Sequence, residues 1–409
     1  MSSLKYWIWL SSVSGIGPVT AAHLLGYFET PEQIFFADTA ELKRLGVKPA
    51  DCARLSKKDI DAANNTLSLC AEAGFQIITL QDAKYPERLK NIYGAPLVLY
   101  VLGKLPDIDE EPVIAVVGTR DCTPYGIKAA EGICYDLARH GFTVATGLAK
   151  GIDAAAARGA LYAGGRVIGV TGSGLDIIYP AENKSLFKDV AGTGAIISEY
   201  PPGTPAIKSN FPARNRIISG ISLGITVIEA PIRSGALITA SRALEQGRDV
   251  FVIPGNVDAR SCEGSNALLR EGAIPVLSAK DIIDEYADLF PGIIDSGSLA
   301  QMQPTATKTI GQTRENALRS NIEAAANVKK EIDNITGVDY IDLNTIINAL
   351  DGDEKTVAIA IGAKTIHVDE IIIDSGMSAQ KVLTALTMLE IKGFITRDEI
   401  GKWKIRMEY

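Results

Sequence analysis

Two short apolar runs that break at glycine constrain this chain more than anything else in it: VIAVVGTR (113–120) and VATGLAKGID (144–153). Each reads as a buried strand that ends in Gly and carries a cation into the break, Arg120 in the first and Lys150 in the second. Because Gly has no side chain, a phosphate can approach the backbone N–H groups of such a turn and of the helix start behind it. The surrounding sequence must therefore supply a sheet that places both turns on one edge.

It does so by alternation. VIAVV (113–117), FTVAT (142–146), RVIGV (166–170), AIISE (195–199), ITVIEA (225–230), DVFVIP (249–254) and IPVL (274–277) read as buried strands. Between them, 125–139, 152–162, 183–190, 214–221 and 235–246 carry helical periodicity. Val- and Ile-rich strands separated by helices make a parallel sheet covered on both faces, with ligands at the carboxyl ends of the strands. FQIITL (75–80) and PLVLYVL (96–102) add two strands before the connector KLPDIDEEP (104–112). The fold class is α/β: an extended Rossmann-like, doubly wound, mainly parallel sheet over 75–290.

At 409 residues there is chain left for more than this core. Over 1–74, VSGIGPVTAAHLLGYF and LKRLGVKPADCARL read as two glycine-linked helical hairpins, a helix-hairpin-helix or SAM-like domain. Pro18, Val19 and Thr20 follow the first hairpin without a cation, which favours a packing or partner module over a phosphate site. Residues 291–329 lose aliphatic periodicity and read as a linker. Residues 330–409 read as helix, Gly turn, helix and two-stranded wing, a winged-helix pattern. With nine Lys or Arg against 14 Asp or Glu and an apolar second helix, that module suits protein contact rather than DNA readout.

The net charge of −8 excludes binding to nucleic acid by bulk charge, so distribution decides. Residues 112–250 hold 14 Lys or Arg against 11 Asp or Glu, and their cations gather at strand ends: Arg120, Lys150, Lys184, Arg214, Arg216 and Arg233. Several phosphate-type ligands along one crevice track a polyanion rather than one nucleotide. Lys184 and Phe187, three residues apart on one helix, would set a ring beside a cation, as single-strand binding requires. Glu199 and Glu229, at strand ends, are read as anchors for backbone amides and neighbouring arginines.

Enzymatic signatures are missing from the sequence. It has no GxxxxGK[ST], HExxH or GxSxG, and TGSGLD (171–176) lacks the third glycine of a dinucleotide motif. No catalytic residue, cofactor or metal is expected. Five scattered cysteines without a CxxC pair fit reduced thiols, and the sequence has neither a leader nor a membrane span, so a soluble cytoplasmic protein is expected. The alternative is a nucleotide (phosphoribosyl) hydrolase with Glu229 as acid or base, although PIRSGALIT departs from the glycine-rich pattern of such enzymes.

In order, VVGTRxxxxYG, TGLAKGIDxxAxxGAL, GSGLDxxYPxEN, SEYPPGT, FPARNRIISG, SGALITAxxALEQGRDVFVIPG and GxNALLREGA resemble the DNA-processing protein A (DprA, also called Smf) family. The resemblance implies a homodimer that binds single-stranded DNA without sequence preference, protects it and loads the RecA recombinase during natural transformation, with no enzymatic activity. Carried over by motif, Arg120 and Lys184 would hold the DNA backbone and Phe187 would stack on a base. Gly118, Thr119, Gly147, Lys150, Arg214, Asn215 and Arg216 would complete the pocket. Two positions depart from the family pattern: Ala157 stands where His is expected, and Lys150 where Arg is commoner.

Overall fold

Glycine and proline set the helix boundaries at the start of the chain. The computed structural model describes residues 3–294, 352–361, 367–391, 395–397 and 403–405. Behind α1 (Leu4–Ser12), Gly15 turns the chain at φ 82° and Pro18 opens α2 (Pro18–Leu25). Next come α3 (Pro31–Phe36), capped by Thr30, α4 (Thr39–Arg44), capped by Asp38, and α5 (Pro49–Leu55), opened by Pro49. The longest of the group, α6 (Ile60–Ala73), stops at Gly74 with φ 69°. Trp7, Ile8, Leu24 and Ile34 share a core with Leu97, Val98 and Tyr100, so these helices pack on the sheet rather than standing apart.

The sheet begins with β1 (Gln76–Thr79), α7 (Glu87–Lys90) and β2 (Val98–Gly103). It continues through β3 (Val113–Val117), α8 (Pro124–Arg139), β4 (Thr143–Thr146), α9 (Ile152–Tyr162) and β5 (Val167–Val170). The second half has α10 (Lys184–Thr193), β6 (Ala195–Ser198), α11 (Asn210–Gly220), β7 (Gly224–Val227) and α12 (Gly235–Glu245). It closes with β8 (Asp249–Val252), α13 (Glu263–Arg270), β9 (Ile274–Pro275) and α14 (Ala279–Tyr286). Among the described residues these nine strands form one sheet in the order β1-β2-β6-β5-β4-β3-β7-β8-β9. Neighbours from β6 to β9 run parallel, while β2 joins β6 antiparallel and β1 joins β2 antiparallel.

Successive strand residues point to opposite faces, and two cores result. Ile114, Val116, Val144 and Ile196 pack beneath α8, α9 and α10, whereas Val113, Ala115, Ile168 and Ile197 pack beneath α11 and α12. Winding reverses between β3 and β7, so the connections after these neighbours leave toward opposite faces and open a crevice at their carboxyl ends. The doubly wound sheet read from the sequence is the observed one.

The chain divides into two compact units, Met1–Asn321 and Ile322–Tyr409. In the second, α15 (Gly352–Ile361), α16 (Val368–Ser375) and α17 (Ala379–Ile391) precede β10 (Ile395–Arg397), which pairs antiparallel with β11 (Trp403–Ile405). Val357, Ile361, Ile371, Leu386 and Trp403 form its core. The linker expected over 291–329 lies, from residue 295 onward, outside the described residues. No helix among the described residues is long and apolar enough to cross a membrane.

The packing of α8 on α9 makes one prediction. A Cβ at Gly159 would run into the backbone carbonyl of Glu131, whereas one at Gly132 would meet nothing within 4 Å. Gly159→Ala should lower stability by about 1–3 kcal/mol through overpacking. Gly132→Ala should raise it by about 0.5–1 kcal/mol through helix propensity. Urea unfolding midpoints check both, and equal midpoints would contradict the close helix contact.

Candidate nucleic-acid interface

The two glycine turns interlock at the crevice. A Cβ on Gly118 would fall 2.6 Å from the Ile152 side chain, and one on Gly151, at φ +75°, would fall 2.5 Å from the carbonyl oxygens of Thr119 and Arg120. Only glycine tolerates these approaches. Ile152 N–H donates to the Thr119 carbonyl at 3.2 Å, and Thr119 N–H to the Glu229 carbonyl at 2.8 Å. The Glu229 carboxylate, 1% exposed, accepts from Thr123 N–H at 2.9 Å and from the Thr123 hydroxyl at 2.5 Å. Thr123 in turn caps α8, so Glu229 seats a helix start.

Beneath the second turn lies Arg214, only 4% exposed. Its Nη1 donates to the Gly147 carbonyl at 2.9 Å and to the Val170 carbonyl, tying α11 to the ends of β4 and β5. The Asp153 carboxylate faces it: a Cβ on Gly147 would lie 2.7 Å from both Asp153 Oδ2 and Arg214 Nη2. Burial pushes the Asp153 carboxyl above its ordinary range, and the guanidinium opposes that rise. Burial likewise lowers Arg214 to about 10, which leaves it a cation at neutral pH. Leu148 holds the turn in the left-handed region at φ 52°, and Asn183 Nδ2 donates to the Leu148 carbonyl at 3.0 Å and to that of Ala149 at 3.1 Å. A second clamp lies further along α11, where Arg216 grips Glu199 with two nitrogens at 2.6 and 2.7 Å and donates from Nε to the Gly94 carbonyl at 2.9 Å.

The model of the DNA recombination-mediator protein A family matches residues 76–287 of this chain, the region that builds the sheet and both turns. That span is more than half the sequence. The chain belongs to the DNA recombination-mediator protein A family. A DprA winged helix domain matches 345–399 and a SAM-like helix-hairpin-helix tandem matches 10–57. Protein Smf of Synechocystis sp. is 33% identical over 405 residues, covering 97% of each chain. The DNA processing protein DprA of Streptococcus pneumoniae is 44% identical over 212 residues, 52% of this chain and 74% of that protein. The X-ray structure of S. pneumoniae DprA matches with a TM-score of 0.62 at 37% identity, covering 69% of this chain and 97% of that one.

Within this DNA recombination-mediator protein A fold, the residues expected to hold DNA separate into two sets. Arg120, Lys150 and Lys184 are exposed at the carboxyl edge. Lys150 pairs with Glu182 at 2.6 Å, and that hydrogen bond and charge raise its pKa. Gly118, Thr119 and Gly147 form the turns themselves, and Asn215, half-buried, donates to the Gly235 carbonyl at 3.4 Å. Arg214 and Arg216 correct the expectation of pocket cations, since both are spent on protein groups. Phe187 also differs from expectation. It is 4% exposed and packs with Leu186 and Val190 beneath α10, because that helix buries its whole apolar stripe, so its ring is not offered to a base. Ala157 is fully buried in α9.

The aromatic rings at the edge are others. Phe211, half-buried, lies over Gly172, where a Cβ would come 3.2 Å from its ring. Tyr179, 43% exposed, sits 5.3 Å from Phe211 between ring centroids, and the Arg120 guanidinium carbon is 5.5 Å from the Phe211 centroid. Sequence reasoning passed over both because Tyr179 stands in a loop beside Pro180 and Phe211 precedes the helix start expected at 214, so helical spacing gives no signal at either.

Replacing Arg214 should therefore destabilise the fold and replacing Arg120 should not. Arg214→Gln should cost about 3–5 kcal/mol, because it leaves Asp153 buried without its countercharge, whereas Arg120→Gln should stay within about 0.5 kcal/mol. Without Arg214 the folded pKa of Asp153 rises further. A raised carboxyl favours the native state below its unfolded pKa and loses that contribution as pH climbs through the folded value. The Arg214→Gln deficit should accordingly be larger at neutral than at mildly acidic pH in urea titrations; a pH-independent deficit would contradict the pairing.

Proposed function

We propose that this chain binds single-stranded DNA without sequence preference and acts as a recombination mediator, protecting the strand and delivering it to RecA. The observation that carries the reading is the division of cations at the carboxyl edge. Interior arginines brace the loops, while Arg120 and Lys184 are exposed and, among the described residues, in no salt bridge. An edge of this kind presents point charges to a flexible phosphate chain, with aromatic surface beside them. Family membership supports the finer parts of the reading: a cytoplasmic homodimer, a RecA partner and a role in natural transformation without catalysis. The hydrolase alternative loses support because Glu229, its acid or base, has both carboxylate oxygens engaged by Thr123.

Exchanging both Arg120 and Lys184 for Glu should abolish oligo(dT) retention in a gel-shift assay without changing the urea midpoint. Retention at the wild-type level would overturn the groove assignment. Glu182→Gln frees Lys150 and should tighten oligo(dT) binding a few-fold at low salt, read as a lower Kd; unchanged binding would place Lys150 outside the interface.

A further inference from the structure

We propose that Tyr179 and Phe211 form the base-stacking platform of this interface, with Arg120 holding the phosphate beside it. The inference rests on the single-strand reading above and adds the surface that recognises a base. Three features of the two rings carry it. First, Tyr179 is exposed over 43% of its surface at the carboxyl edge, so its ring is accessible to a base there. Second, the pair is tilted at 44° with centroids 5.3 Å apart, which leaves an open aromatic step rather than a closed sandwich. Third, the step is rigidly mounted. Phe211 is the second residue of α11, flanked by Asn210, whose Nδ2 donates to the Gly172 carbonyl at 3.0 Å, and followed by Arg214, which is locked to β4 and β5.

Cations approach the same ring. Arg120 and Arg214 have their guanidinium carbons 5.5 and 6.0 Å from the Phe211 centroid. Arg214 is buried and fixes the ring from within, while Arg120 is exposed and reaches solvent next to it. A nucleotide on this step would lay its base against Tyr179 and Phe211 and its phosphate against Arg120. In a duplex each base face is already covered by its neighbour, so the platform selects unpaired strands, which backbone cations alone cannot do. Stacking tolerates every base, in keeping with binding that ignores sequence.

The test compares oligo(dT) with an abasic oligomer of the same length and charge, for the full chain and for Tyr179→Leu, Tyr179→Phe and Phe211→Leu, each checked for an unchanged urea midpoint. The wild type should bind oligo(dT) more tightly than the abasic oligomer. Tyr179→Leu should weaken oligo(dT) binding roughly tenfold, the scale of one stacked base, and leave abasic binding unchanged, while Tyr179→Phe keeps wild-type affinity. Phe211→Leu should follow Tyr179→Leu. If Tyr179→Leu binds oligo(dT) as the wild type does while the wild type still discriminates against the abasic oligomer, the platform lies elsewhere and only this inference falls. If the wild type binds neither oligomer, the single-strand reading falls with it.

Discussion

A single buried guanidinium holds the carboxyl edge of this sheet in shape. Arg214 reaches from α11 to carbonyls at the ends of β4 and β5 and faces Asp153 on α9, so four elements and both core faces meet at one charge. Burying such a group is costly unless its charge and its donors find partners. Here Nη1 takes two backbone carbonyls and the Asp153 carboxylate faces the charge, while Nε has no hydrogen-bond partner among the described residues. Once that lock is in place, the turns that follow β3 and β4 have little freedom, and glycine at 118, 147 and 151 becomes a steric necessity.

The lock also divides the basic residues of the edge by role. Arg214 and Arg216 are structural, each hydrogen-bonded to protein oxygens, whereas Arg120, Lys150 and Lys184 are exposed. Arg216 also links the edge to the helical domain: its Nε donates to the Gly94 carbonyl, and a Cβ on Gly94 would lie 3.5 Å from Val19 and 3.7 Å from Pro18. The start of α2 thus packs against the clamp, in line with reading its uncharged hairpin as a packing module. Arg54 of α5, paired with Asp51 at 2.5 Å, packs against the hairpin so closely that a Cβ on Gly15 would fall 2.7 Å from its Nε.

Much of this was legible in the sequence, because strand and helix periods are local properties. The strands at VIAVV and FTVAT and the helix over 152–162 lie where their patterns put them. The errors have a common cause. Helix α11 was expected from 214 and begins at Asn210; Ser209 gives no side-chain cap to mark the start, and the earlier turn is what brings Phe211 onto the helix that carries Arg214. The partners of the arginines are remote, with Glu199 17 residues from Arg216 and Gly147 67 residues from Arg214, distances over which spacing carries no information. The burial of Phe187 was equally hidden, because a three-residue interval from Lys184 makes the two neighbours on a helix without saying which of them the sheet covers.

Binding of matched single- and double-stranded oligonucleotides to the full chain over a series of salt concentrations tests the central claim most directly. With Arg120, Lys150 and Lys184 as backbone ligands, the single strand should bind more tightly than the duplex, and log Kd should rise with log salt at a slope of about 2. Equal affinity for the two forms, or binding that salt leaves unchanged, would contradict the account.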